Sequence, residues 1–102
     1  MEIKIGQFAY TVVEDDLQDA DGQKGCTYAQ LGQIRISPYL SQSQRRATLL
    51  HEALHGCADF AGFVDDKIKY TEEEFVTRLS PILLTMMAEN PELMKELCEA
   101  QQ

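Results

Sequence analysis

The stretch LLHEALHGCADF, residues 49–60, holds both histidines of the chain, His51 and His55, four residues apart, with Glu52 directly after the first. On a helix each residue advances about 100°, so His55 falls about 40° from His51 and Glu52 about 100° from it, all on one side. Leu49, Leu50, Ala53, Leu54, Cys57 and Phe60 then occupy roughly 160° to 300°. Such a helix buries one face and offers the other to a cleft. Spacing by four lets two imidazoles converge on one zinc ion, and the adjacent carboxylate can reach a metal-bound water without being a ligand. Zinc lowers the pKa of that water, the carboxylate takes its proton, and a polarised carbonyl is attacked, which is the chemistry of peptide or amide hydrolysis. Histidines four apart also occur on ordinary solvated helix faces. Here, however, the chain has two histidines in all, both at ligand spacing, with the glutamate in place and the apolar arc elsewhere.

The elements that must carry this constellation can be read from periodicity. EIKIGQFAYTVV (residues 2–13) alternates as a strand, with Ile3, Ile5, Phe8, Tyr10 and Val12 as inward residues and a bulge expected near Gly6. An acidic loop, EDDLQDADGQKG, follows; it lacks the spacing and distal Glu of a calcium loop. CTYAQLGQIRIS reads as two short strands around Leu31 and Gly32, ended by Pro38. Ser41 or Ser43 can cap a helix running to about Phe60, Ser41 being followed three residues later by Gln44 in the capping-box pattern, and AGFVDDKIKY is a connector. Thr71 with Glu74 opens a second helix to about Ala88, with Phe75, Val76, Leu79, Ile82, Leu83 and Met86 as its buried stripe and Pro81 as a potential kink. Asn90 as cap and Pro91 at the first position start a short third helix. Strands first and helices after predict an α+β fold: a short N-terminal antiparallel sheet, the motif helix, and one or two C-terminal helices.

A catalytic zinc needs a third protein ligand and an open fourth position. No third histidine exists, Cys57 falls on the core side, and Cys26 and Cys98 lie in distant segments. The carboxylates of TEEEF are better placed, at the opening turn of a helix able to pack beside the first. Glu74 has a structural task in the capping box, Glu72 falls near the middle of the apolar stripe, and Glu73 lies on its flank. All three also favour the positive end of the helix without any metal.

Composition narrows the function classes. At 102 residues and 44% apolar content the chain fits one domain, residues 1–102, with one modest core. Nine Lys and Arg against 17 Asp and Glu give a formal charge of −8, which disfavours nucleic acid and anionic membranes. No run approaches the roughly 20 apolar residues of a membrane span, and the N-terminus lacks a signal-peptide pattern, so a cytoplasmic protein is expected. Three scattered cysteines suggest reduced thiols, not a disulfide framework. The four methionines are expected to fill the core, and Arg45 and Arg46 to decorate a helix face.

The segment TLLHEALHG, preceded by GQIRIS and followed by EEEFVTRLSPILLTMMAENPEL, resembles the small phage- and prophage-encoded relatives of the ImmA/IrrE-type zinc metallopeptidases, which are compact gluzincins. The similarity covers nearly the whole chain, and its HExxH part is the specific one. It implies a minimal zincin-like domain with Zn²⁺ on His51, His55 and a third ligand, a Glu opening a helix patterned E-x-x-V-x-x-L-A/S. Glu73, Val76, Leu79 and Ser80 match that pattern, so the resemblance selects Glu73, with Glu72 as runner-up. It further implies that the strand QIRIS lies along the cleft, where its unpaired edge could take up an extended peptide. Two departures stand out: the extra substrate-shaping segments and the DNA-binding domain of larger relatives are absent, and no spare histidine remains for the oxyanion. That role would fall to a tyrosine or arginine, with Tyr70 and Tyr39 as candidates. The expected function is zinc-dependent peptide hydrolysis with Glu52 as general base, on a peptide or protein substrate such as a phage regulatory protein. The alternatives are a non-catalytic zinc-containing binding or regulatory protein of phage origin, and a hydrolase acting on a non-protein amide. A structural zinc should hold the domain together, whereas a catalytic one should leave a folded apo form.

Overall fold

The computed structural model describes residues 1–15, 24–63 and 69–99, so most of the acidic loop and of the connector expected from sequence lies outside the described residues. The N-terminal stretch is a hairpin and not one bulged strand: β1 (Glu2–Ile5) and β2 (Phe8–Glu14) pair antiparallel with Ile5 opposite Phe8. Gly6 makes the reversal because its φ of 61° is open to a residue without Cβ. Reversal at Gly6 also changes the expected inward set. Ile3, Ile5 and Tyr10 are buried, whereas Val12 is half-buried and Phe8 is 50% exposed, its ring meeting Phe60 edge-on.

Next come β3 (Gly25–Tyr28), a 3₁₀ turn (Ala29–Leu31), a left-handed Gly32 and β4 (Gln33–Ile36), close to the two strands expected around Leu31 and Gly32. The sheet order is β1-β2-β4-β3. Because β4 inserts between β2 and β3, it runs parallel to β2, with Thr11 opposite Gln33, and antiparallel to β3. The sheet is therefore mixed, where a wholly antiparallel one was expected. The fold is α+β, as the order of elements implied.

Helix α1 (Gln42–Ala61) starts at the Ser41 and Gln44 capping box and stops at left-handed Gly62. It lays Leu49, Ala53 and Cys57 on the sheet against Ile3, Ile5, Ile34 and Ile36, all fully buried. Helix α2 (Glu72–Glu89) starts at the Thr71 and Glu74 capping box and continues through Pro81. Its stripe is buried less than its pattern implies. Met86 is buried, Leu79, Ile82 and Leu83 are half-buried, but Phe75 and Val76 are exposed. The first turns are held by Phe63, whose ring lies 4.9 Å from Phe75, and by Arg78, which donates to the Ala61 carbonyl and stacks over Phe63.

Helix α3 (Pro91–Cys98) has Pro91 at its start, as expected, but the Asn90 side chain does not cap it. Its carboxamide is turned to β1: Oδ1 accepts from Lys4 N at 2.7 Å, and Nδ2 donates to the Lys4 and Met86 carbonyls, each at 2.7 Å. Arg45, expected on a solvated face, bridges Glu14 at 2.8 Å and Glu96 at 2.6 Å, tying β2, α1 and α3 together. No helix among the described residues is long and apolar enough to cross a membrane.

Candidate functional site

Helix α1 and the edge strand β3 form the two walls of an open cleft of about 860 Å³. Thr48, His51, Glu52, His55 and Asp59 line it from the helix, and Gly25, Cys26 and Thr27 from the strand, with Lys24 and Phe63 also contributing. The strand along the cleft is thus β3, not the QIRI segment the resemblance implied. Both sides of β4 are taken by β2 and β3, while β3 has β4 on one side and the cleft beyond it.

The rings of His51 and His55 lie edge-on with centroids 4.8 Å apart, and their Nε2 atoms converge to 3.2 Å. Two nitrogens of one tetrahedral zinc, each about 2.05 Å from the metal, stand about 3.3 Å apart, so the pair has the spacing of two ligands. A hydrogen bond between neutral imidazoles has a similar length. Glu52 is 6% exposed, and its Oε2 lies 3.9 Å from His51 Nε2. Its other oxygen accepts from the Thr27 hydroxyl at 2.7 Å. Burial follows from the helix wheel, since Glu52 stands between the exposed histidines and the core-facing Leu49 and Ala53, where β3 covers it.

The structure does not bring the third candidate to this pair. Glu73 is exposed on α2, with Oε1 3.3 Å from the Thr77 hydroxyl, and is not among the cleft-lining residues. Glu74 accepts from Thr71 N and Oγ1 in the capping box, and Glu72 is exposed. Among the described residues no group of three or more His, Cys, Asp or Glu is gathered as a metal cluster. Tyr70 sits against Phe63 with its hydroxyl 3.4 Å from the Gly62 carbonyl, and Tyr39 is exposed in the turn after Pro38. Neither lines the cleft.

Two cleft residues escaped the sequence reading. Asp59 stands eight residues after His51, about 80° round the helix beside His55, and the same wheel could have found it. Its charge reaches the core. Burial chiefly, then Asp59, then Cys57, pushes the Tyr10 phenol above its ordinary value. Thr27 left no such signal, because its relation to Glu52 spans 25 residues and arises from the sheet order. Compared with known proteins, the chain matches no family model, no curated protein and no solved structure.

Proposed function

We propose that this chain is a minimal zinc-dependent metallopeptidase, acting in the cytoplasm on a peptide or protein such as a phage regulatory protein. The observation that carries the reading is the convergence of His51 and His55 to 3.2 Å with the Glu52 carboxylate beside them in an open cleft. A zinc ion held there supplies water activation and carbonyl polarisation. His51 and His55 would hold it, and Glu73 would be the third ligand that the resemblance nominates. Glu52 takes the proton of the attacking water on Oε2 and returns it to the departing amine. The free side of β3 offers backbone groups to an extended peptide, which gives affinity with little sequence preference. A formal charge of −8 argues against a nucleic-acid substrate.

The second reading, a non-catalytic zinc-containing binding or regulatory protein, is favoured by the absence of Glu73 from the residues that line the cleft. Glu52→Gln separates the two. Glutamine retains a carbonyl oxygen to accept from Thr27 but cannot take a proton, so the variant should bind one zinc per chain and lose hydrolysis by at least about 100-fold. Hydrolysis retained by Glu52→Gln would falsify the mechanism, and a wild type that takes up no zinc would remove the metal centre altogether.

A further inference from the structure

We infer that Thr27 is a positioning residue for Glu52, holding one carboxylate oxygen so that the other faces the His51 and His55 pair. The inference rests on the peptidase reading above. Thr27 Oγ1 lies 2.7 Å from Glu52 Oε1 and 3.0 Å from the Glu52 carbonyl oxygen. A hydroxyl has one proton to give, and a carboxylate is the stronger acceptor, so the proton is directed to Oε1. Oε2 is then the oxygen that lies 3.9 Å from His51 Nε2. Glutamate has three side-chain torsions to fix, and a buried carboxylate bonded at one oxygen keeps a single arrangement of them.

The approach that allows this contact is built into β3. A Cβ at Gly25 would lie 2.7 Å from Thr48 Cγ2, 3.0 Å from the Arg35 carbonyl oxygen and 3.3 Å from Glu52 Cγ. Glycine at that position lets strand and helix close on each other two residues before Thr27. Alternation along the strand then puts Thr27 on the same face as Gly25, toward α1. The hydroxyl bonds to the base and not to either histidine, so its loss should alter the chemical step and spare the metal.

The test compares wild type, Thr27→Val and Thr27→Ser, each loaded with zinc, on a mixed fluorogenic peptide library. Valine keeps the shape and strand preference but removes the hydroxyl; serine restores it. Expected for Thr27→Val is a fall in kcat of about 10- to 100-fold with KM within about threefold and one zinc per chain retained. Thr27→Ser should return kcat to within about threefold of wild type. A Thr27→Val kcat within about twofold of wild type overturns the inference, as does a Thr27→Ser as slow as Thr27→Val, or a change confined to KM. A wild type that binds zinc but cleaves nothing overturns the peptidase reading instead. The metal-free protein gives a separate readout through three-bond couplings of ¹³C-labelled Glu52. One side-chain rotamer in wild type and Thr27→Ser, with averaging in Thr27→Val, supports the contact. Averaging already in the wild type overturns it, and the wild-type and serine couplings decide the matter even where valine prevents folding.

Discussion

Asn90 offers the sharpest test of how the fold is held. Its carboxamide serves the outer side of β1 as a neighbouring strand would, accepting from Lys4 N and donating to Lys4 O, while its second Nδ2 proton goes to Met86 O in the last turn of α2. The residue is 5% exposed, so water cannot readily take over these bonds. Asn90→Ala removes all three at about 1 kcal/mol each, a loss of about 3 kcal/mol. For a chain of this length unfolding entropy is about 0.2 kcal/mol per degree, so the melting temperature should fall by about 14 °C. Urea unfolding of the metal-free protein measures the free energy directly, and an unchanged slope would show that the same surface is exposed. Glu92→Ala, an exposed control on α3, should stay within about 0.5 kcal/mol of wild type. Asn90→Asp sharpens the test, because an ionised carboxylate can still accept from Lys4 N but faces two carbonyl oxygens with no proton to donate. Its folded-state pKa must then lie above the unfolded value. The contribution of the new carboxyl to stability should be complete below about pH 4 and lost as pH rises through its folded pKa, read as the difference from wild type at each pH. A loss under about 1 kcal/mol in Asn90→Ala, with the Lys4 amide still protected from exchange, would refute the reasoning.

The remaining predictions concern the thiols and the metal. Burial pushes the Cys57 thiol up to about 11, so at pH 8 it should resist alkylation in the native protein while the exposed Cys98 reacts. Because the thiol is protonated more readily in the folded state, its contribution to stability is complete below about pH 9 and is lost as pH rises through about 11, which pH-dependent denaturation can follow. Glu73→Ala should weaken zinc binding by about 100-fold or more and Asp59→Ala by less than about threefold; calorimetry giving the reverse order would move the third ligand to the aspartate already in the cleft.

What was legible in the sequence was what depends on neighbours along the chain. The capping pairs Ser41 with Gln44 and Thr71 with Glu74 start α1 and α2 as expected, since a cap is settled within four residues. Periodicity placed Leu49, Ala53 and Cys57 in the core and both histidines outside it, but Leu50, Leu54 and Phe60 of the same expected arc are exposed. The misreadings lie where distant segments compete. A single extended strand through Gly6 alternates almost as well as the hairpin does. The positive φ of Gly6 makes the reversal, and the insertion of β4 between β2 and β3 makes the sheet mixed and leaves β3 at the cleft. Asn90 looked like a cap because it precedes Pro91; the free side of β1, 86 residues away in sequence, claimed its side chain. Val76 is exposed although it falls on the stripe, because a helix pattern records which residues are apolar and not which of them a partner element covers.

These long-range effects converge on α1, whose two faces have different dependencies. Its apolar face meets β1, β2 and β4 through residues that include no zinc-binding candidate apart from the thiol of Cys57, which burial keeps protonated. The core contacts of this face therefore include none of the proposed zinc ligands. On its other face the helix meets β3: Gly25 sets the distance, Thr27 meets Glu52, and the histidines remain open to the cleft. A structural zinc would be expected to join segments that otherwise lack a shared core. Here the two convergent nitrogens lie on a helix already fixed by buried Leu49, Ala53 and Cys57, so under the peptidase reading proposed above a metal would be expected to bind a domain that is already folded.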